Sequence, residues 1–506
     1  MAEERGPAKG DASYTEILKS TALIGGSSVV NIALSIIRNK VMAVLLGPEG
    51  VGLMGIYNSV MDVATNLASV GIPSSGVRQI AESVGSGDAD RIARTATVLR
   101  RISLVLGLAG ALLLAALAYP VSSFTFGDGS HATALVLLSA AVLLRLVSGG
   151  QTALIQGTRR IADLVRIQII GGILSTAVGI LLIYCFGMQG IAPSLVAMAV
   201  VGTLATWWYS RKVRLPSPPM SFRQVGGEAA ALLKLGLAFM ASGFLAVGAA
   251  YAVRMIVLRD GGTEAAGLYQ AAWGLGGLYV GIILQSMGAD FYPRLTAVAG
   301  DNPECNRLVN EQTQVSILLA APGVLATLTL APLVLTLFYS PEFQSAVDML
   351  RWICLGMMLR IVSWPMGFIV LAKNAQKIFF LTEVAETIVH VGLAWLLVAW
   401  LGPICAGIAF FGAYVWHTVF IYFVVRRLSG FRWSAENLKL SLIFLPASGL
   451  VFAAFALLPF WEATTVGGLL VALSGFYSLY MLLKLIPANS LQPVLSWLPR
   501  SLRPAS

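Results

Sequence analysis

Charged and polar side chains recur at helical spacing inside apolar stretches of this chain, where an ionised group is costly. Arg38 and Lys40 lie near the end of one such stretch and Arg254 lies in another. Asn58, Asp62 and Asn66 follow at i, i+4, i+8 and therefore share one helical face. Glu383, Glu386 and His390 run i, i+3, i+7 along one face. The tetrapeptide Arg145-Leu146-Val147-Ser148 returns as Arg360-Ile361-Val362-Ser363, and Tyr269, Gln270, Trp273 and Gln285 bring aromatics and amides to a further stretch. A guanidinium stays protonated and binds oxyanions with a planar fork. Intramembrane carboxylates and histidines mark proton or ion pathways, and aromatics with amides suit sugars.

Each group also has a plainer use. Long cations near helix ends snorkel to the headgroups. Polar stripes hydrogen-bond between helices for about 0.6 kcal/mol each. Tyr269 and Trp273 suit an interfacial belt. Glu383 and Glu386 can pair structurally with Arg360 or Lys377, and Arg145 suits a structural pairing too.

The elements that must carry these groups are membrane spans. Hydrophobic residues make up 57% of the 506 and charged residues only 11%, against roughly 25% charged in an ordinary soluble domain. About fourteen apolar runs can each cross a ~30 Å hydrocarbon core: about 20–46, 49–71, 98–119, 132–156, 165–186, 189–210, 231–258, 265–289, 313–338, 346–371, 378–401, 404–425, 438–458 and 464–485. Arginines and lysines collect in the loops after even-numbered spans, as in Arg91, Arg94, Arg211 and Arg426, whereas alternate loops such as Gly47-Pro48-Glu49-Gly50 are short and nearly bare. This alternation predicts that both termini are cytoplasmic. It also accounts for the net charge of +10 without nucleic acid, because the basic residues form no single patch. The first span follows a charged stretch and has no small-residue cleavage site, so it reads as an uncleaved anchor. The four cysteines are scattered and read as small apolar residues.

The chain repeats itself. Residues 153–213 align without gaps on 370–430, and Arg38 with Gly52-Leu53-Met54-Gly55 has its counterpart in Arg254 with Gly267-Leu268-Tyr269-Gln270. Six spans per half makes the repeat parallel. The expected fold is an all-α polytopic membrane protein: a six-helix bundle over 1–215, a second over 216–430, and two further helices with a tail over 431–506. The linker is the stretch 211–225, with Pro216, Pro218 and Pro219. Such repeats bind substrate between their halves and alternate access to it. No Walker A, HExxH, GxSxG or cysteine–histidine framework occurs, there are three histidines, and no outer loop is large enough for a catalytic domain, so an enzyme is not expected.

The stretch from Arg38 to Glu82 resembles a known family. A basic end of span one leads into Leu46-Gly47-Pro48-Glu49-Gly50-Val51-Gly52-Leu53, then span two, Gly71-Ile72-Pro73 and the amphipathic Val77-Arg78-Gln79-Ile80-Ala81-Glu82. With Phe291-Tyr292-Pro293-Arg294-Leu295 and the order of spans, it resembles Wzx-type polysaccharide flippases of the multidrug/oligosaccharidyl-lipid/polysaccharide exporter superfamily. The two extra C-terminal spans resemble the fourteen-span lipid II flippase branch.

The resemblance implies a V-shaped bundle like that of the multidrug (MATE) exporters, in the bacterial inner membrane, with a cavity lined by spans one, two, seven and eight. The implied cargo is an undecaprenyl-pyrophosphate-linked glycan of O-antigen type, with an O-antigen polymerase and a chain-length regulator as implied partners. On this reading Arg38, Arg254 and Lys40 meet the pyrophosphate in a wet cavity with Asp62, Asn58 and Asn66, and Tyr269, Gln270 and Trp273 touch sugar. Glu383, Glu386, His390, Arg360 and Arg145 serve coupling to H⁺ or Na⁺, or structure; no metal or organic cofactor is expected. A cation-coupled drug exporter of the same superfamily and a membrane glycan polymerase or ligase remain as alternatives. The first would want anionic cavity residues and the second large outer loops.

Overall fold

The computed structural model describes residues 9–485 apart from 86–87, 214–219, 221 and 288–290, with side chains from residue 30 onward, those of 89, 222, 223, 231, 235, 238, 285 and 286 excepted. Much of the 211–225 linker and the side chain of Gln285 thus lie outside the described residues.

The first compact unit comprises residues 1–270 and 336–343. It contains α1 (Lys9–Ser69), α2 (Ile72–Gly85), α3 (Ala89–Ala116), α4 (Ala118–Phe126), α5 (Ala132–Gly157), α6 (Ile161–Phe186) and α7 (Ile191–Ser210), with α8 (Phe222–Ser286) as far as Gln270. The second comprises 271–335 and 344–506. It holds α9 (Tyr292–Ala297), α10 (Asn302–Thr329), most of α11 (Ala331–Phe338), α12 (Val347–Ala372), α13 (Gln376–Leu401), α14 (Cys405–Ser429), α15 (Ala435–Leu457) and α16 (Phe460–Leu485). The packing boundary therefore falls inside α8, away from the linker at which the sequence repeat divides.

Among the described residues, ten segments are long and apolar enough to cross a membrane. Four of them, Val30–Ser69, Ile161–Ser210, Phe239–Leu284 and Gln376–Ser429, contain a break: Gly47, the turn Gly187–Gly190, Gly262 and the turn Gly402–Ile404. Counting both sides of each break gives the fourteen spans. Large apolar side chains such as Leu112, Trp400 and Phe476 remain exposed, as a lipid-facing surface requires.

The breaks also correct the register of the repeat. Gly47 (φ 64°, ψ −171°) corresponds to Gly262 (φ 75°, ψ −173°), a conformation that glycine alone adopts without strain. Gly187 corresponds likewise to Gly402, and the left-handed Arg159 to Asn374, always at a separation of 215 positions. Arg145 and Arg360 obey the same spacing, whereas the gapless alignment of 153–213 with 370–430 is displaced by two. The identical Gly-Ile-Ala triplets at 190 and 407 attract that alignment, yet one sits at a turn and the other inside α14. Counted from the kinks, Arg254 corresponds to Asn39, one position past Arg38.

In the first unit, the part of α1 after Gly47 buries Leu53, Tyr57, Val60 and Met61 against Leu138 and Val142 of α5 and Ile191 and Leu195 of α7. That choice turns the adjacent face, with Asn58 and Asp62, away from the core. The same arm runs antiparallel along α8. A Cβ on Gly52 would collide with the Thr263 carbonyl, and one on Gly267 with the Pro48 carbonyl; Gly71 and Gly236 stand in the same relation further along. Arg259 of α8 donates to the carbonyls of Ser123, Phe124 and Thr125, closing the C-terminus of α4 where a cation is favoured.

In the second unit, α10 packs on α12, α15 and α16. Asn437 at the start of α15 donates to the backbone carbonyl of Asn310 at 2.9 Å, and Gly467 of α16 seats against Thr329. No disulfide joins the four cysteines among the described residues.

Gly52→Ala should lower the thermal midpoint of the detergent-purified protein, because the new methyl must displace backbone at a cost of about 1–3 kcal/mol. Gly449→Ala, where a Cβ meets nothing within 4 Å, should leave the midpoint unchanged.

Candidate functional site

A cavity of about 1260 Å³ opens within the first unit, walled by α1, α2, α5, α6, α7 and α8. Three guanidinium groups reach it, from Arg38, Arg145 and Arg254, and one carboxylate, from Asp62. The formal balance of this wall is two positive charges.

Each cation is held differently. Arg145 Nη1 donates to Asp62 Oδ1 at 2.7 Å and Nη2 to Asn58 Oδ1 at 3.0 Å. Asn58 is itself fixed, its Nδ2 donating to the Met54 carbonyl at 3.0 Å. The i, i+4 spacing of Asn58 and Asp62 thus forms a two-point brace for one arginine. The Arg145 and Asp62 side chains remain 32% and 50% exposed, so this pair is partly solvated and worth at most about 1 kcal/mol.

Arg254 Nε donates to Gln270 Oε1 at 3.1 Å and Nη1 to the buried Ser59 hydroxyl at 2.7 Å. Both partners are neutral, so its positive charge is positioned without being cancelled. Arg38 makes no ion pair among the described residues, and its Nε is buried without a hydrogen-bond partner. Uncompensated guanidinium groups on a cavity wall are suited to an oxyanion.

The remaining expected residues divide. Asn58, Asp62, Arg38, Arg254 and Gln270 meet on the cavity wall. Lys40 does not line it: its Nζ donates to the Thr336 carbonyl at 2.7 Å. Asn66, two helical turns beyond Asn58, lies against Gly243 off the wall. Tyr269 is buried, only 2% exposed, and does not line this cavity. Trp273 belongs to the second unit and packs edge-on against Phe410, ring centroids 5.0 Å apart.

In the second unit Arg360 lies over the rings of Trp364 at 4.7 Å and Tyr414 at 5.6 Å. Glu383 and Glu386 feel its charge, yet no contact ion pair joins either to Arg360 or Lys377 among the described residues. His390 is buried against Phe410, with ring centroids 5.7 Å apart. The expected carboxylate partner of Arg360 is therefore replaced by aromatic faces, which attract a guanidinium through the ring quadrupole. Arg145, read as structural or coupling, is braced by Asp62 and Asn58 and also lines the cavity.

Sequence reasoning singled out Arg145 but missed the polar wall around it. Arg145, Ser148, Thr152 and Gln156 occupy one face of α5, and Gln168 of α6 accepts from Asn31 Nδ2 at 3.5 Å. The i, i+3, i+7, i+11 spacing on α5 was legible by the same periodicity that picked out Asn58 and Asp62.

This succession of helices with paired glycine breaks carries a cationic hollow in its first unit. Its fold is similar to an inward-facing MATE multidrug transporter (TM-score 0.66, 17% identity, 79% of this chain and 98% of that one). It is also similar to the lipid II flippase MurJ in an inward closed conformation (TM-score 0.67, 13% identity, 91% of this chain and all of that one). Residues 41–348 match the family described as polysaccharide biosynthesis protein, and the chain belongs to that family. Over 409 residues, 79% of this chain and 95% of the relative, it is 23% identical to the lipid III flippase of Escherichia coli (strain K12).

A double-mutant cycle of Asp62→Asn and Arg145→Gln, read by thermal unfolding, should return a coupling of about 0.5–1 kcal/mol. Strict additivity would mean that the brace contributes nothing.

Proposed function

We propose that this protein flips an undecaprenyl-pyrophosphate-linked oligosaccharide, of the O-antigen repeat-unit type, from the inner to the outer leaflet of the bacterial cytoplasmic membrane. The observation that carries this reading is the cationic wall: three arginines against one aspartate around about 1260 Å³. That volume exceeds the roughly 300–1,000 Å³ of ordinary small-ligand pockets, as a glycan headgroup demands. Membership of a polysaccharide biosynthesis family and the name of the lipid III flippase relative support a lipid-linked saccharide. A cationic drug would meet repulsion here, which argues against the exporter reading.

In the proposed cycle, Arg38 and Arg254 take the pyrophosphate oxygens. Arg254 is already oriented by Ser59 and Gln270, so little side-chain entropy remains to be lost on binding. The arriving anion competes with Asp62 for Arg145, and the released carboxylate and the amides of Asn58, Gln156 and Gln168 turn to sugar hydroxyls. The lipid tail stays in the bilayer throughout, and two parallel six-helix repeats alternate access to the site. The loop charges favour cytoplasmic termini. Glu383, Glu386 and His390, around Arg360, are the groups through which H⁺ or Na⁺ would couple if the cycle is ion-driven. An O-antigen polymerase and a chain-length regulator would act on the delivered glycan.

In proteoliposomes, Arg38→Ala/Arg254→Ala should slow flipping of a fluorescent undecaprenyl-pyrophosphate glycan by at least about 100-fold, as expected for losing charge-assisted contacts to an anion. The amount of inserted protein should not change. Wild-type rates in the double variant would remove the pyrophosphate assignment. A wild-type protein that exports a cationic dye and moves no glycan would make the chain a drug exporter.

A further inference from the structure

On another side of the first unit, α3, α5 and α7 enclose a second hollow of about 400 Å³. Each helix contributes to it an apolar side chain and, four positions along, a polar one. These are Leu104 with Arg100 on α3, Val147 with Gln151 on α5, and Trp207 with Arg211 at the end of α7. Residues at i and i+4 stack along one helical face. On α3 the polar member precedes the apolar one, whereas on α5 and α7 it follows. Because α3 runs antiparallel to the other two, all three polar groups fall at the same membrane face and all three apolar groups lie one turn deeper.

The polar tier is made of donors without an anion. Neither Arg100 nor Arg211 makes an ion pair among the described residues. Arg211 stacks on the Trp207 ring at 4.5 Å, which fixes the guanidinium plane and leaves its charge uncancelled. Gln151 is buried, and its Oε1 accepts from Thr206 Oγ1 at 2.6 Å, so its NH₂ is the group left to donate. The deeper tier opens sideways: Leu104 is 48% exposed and Trp207 43%. Trp207 and Trp208 together occupy the level at which tryptophan anchors a helix to the headgroup region.

We infer that this hollow is a binding site for the headgroup phosphate of an anionic phospholipid, distinct from the cargo cavity. The phosphodiester sits between Arg100 and Arg211 and accepts from Gln151, while the first methylenes of the acyl chains lie on Leu104, Val147 and the Trp207 ring. Inorganic phosphate offers the same oxygens but leaves the apolar tier uncovered, so the lipid is the better match. In the orientation given by the loop charges this is the inner leaflet, where such a lipid would tie α3, α5 and α7 together behind the cargo cavity. The inference does not depend on what that cavity carries.

The test is lipid retention by the detergent-purified full chain, measured by native mass spectrometry with added dioleoyl phosphatidylglycerol or dioleoyl phosphatidylcholine. The wild type should retain the phosphatidylglycerol preferentially. Arg100→Gln/Arg211→Gln should weaken its retention about 25-fold, from about fivefold for each cation near a headgroup. The single Arg211→Gln, an exposed change at the end of a helix, should account for about fivefold and guards against misfolding of the double variant. Arg427→Gln, a control at the end of α14, should have no effect. Equal retention of both lipids by the wild type, unchanged retention in the double variant, or an equal loss in the control would overturn the site. Displacement of the lipid by millimolar inorganic phosphate would reassign it to free phosphate.

Discussion

The structure depends most on how an arginine can be kept inside a membrane protein. A guanidinium cannot be neutralised by losing its proton, so it must be given water, a counter-charge or an aromatic face. The first unit uses an open cavity and incomplete compensation. Arg145 has Asp62 and Asn58, Arg254 has only the neutral Ser59 and Gln270, and Arg38 has no ion pair among the described residues. The cavity is what makes these three tolerable, and their excess charge is the ground on which we propose that it takes an anion.

The second unit answers the same problem differently. Arg360, at the position equivalent to Arg145, lies over Trp364 and Tyr414, with Glu383 and Glu386 near but not in contact. Two copies of one tetrapeptide have therefore acquired different surroundings: a carboxylate and amide brace beside open space, and a pair of aromatic rings. Ancestral symmetry survives in the backbone, in the kinks at Gly47 and Gly262, while the side-chain chemistry has diverged.

Much of the fold was legible in the amino-acid sequence because its constraints are one-dimensional. Spans declare themselves by length and polarity, and breaks by glycine with proline or a second glycine. The candidate site was legible only in part. Spacing fixes which residues share a helical face, so Asn58 and Asp62 were found together. It does not fix how far along the helix that face remains wet, and Asn66 falls against Gly243. Nor does it say which carbonyl a flexible lysine will reach, as Lys40 does at Thr336, or that Trp273 will meet Phe410. The repeat register failed for a related reason. In apolar helices residue identity constrains alignment weakly, whereas left-handed backbone at Gly187 and Gly402 constrains it strongly.

Recognition of a pyrophosphate anion is the function proposed for the cavity of the first unit. Its most direct test is equilibrium binding to the purified wild-type protein of a short polyprenyl pyrophosphate and of the matching uncharged polyprenol, at low and high salt. The account predicts that the pyrophosphate binds at least about 100-fold more tightly and that added salt weakens it, since the contacts are charge-assisted. Equal affinities for the two lipids, unaffected by salt, would contradict it.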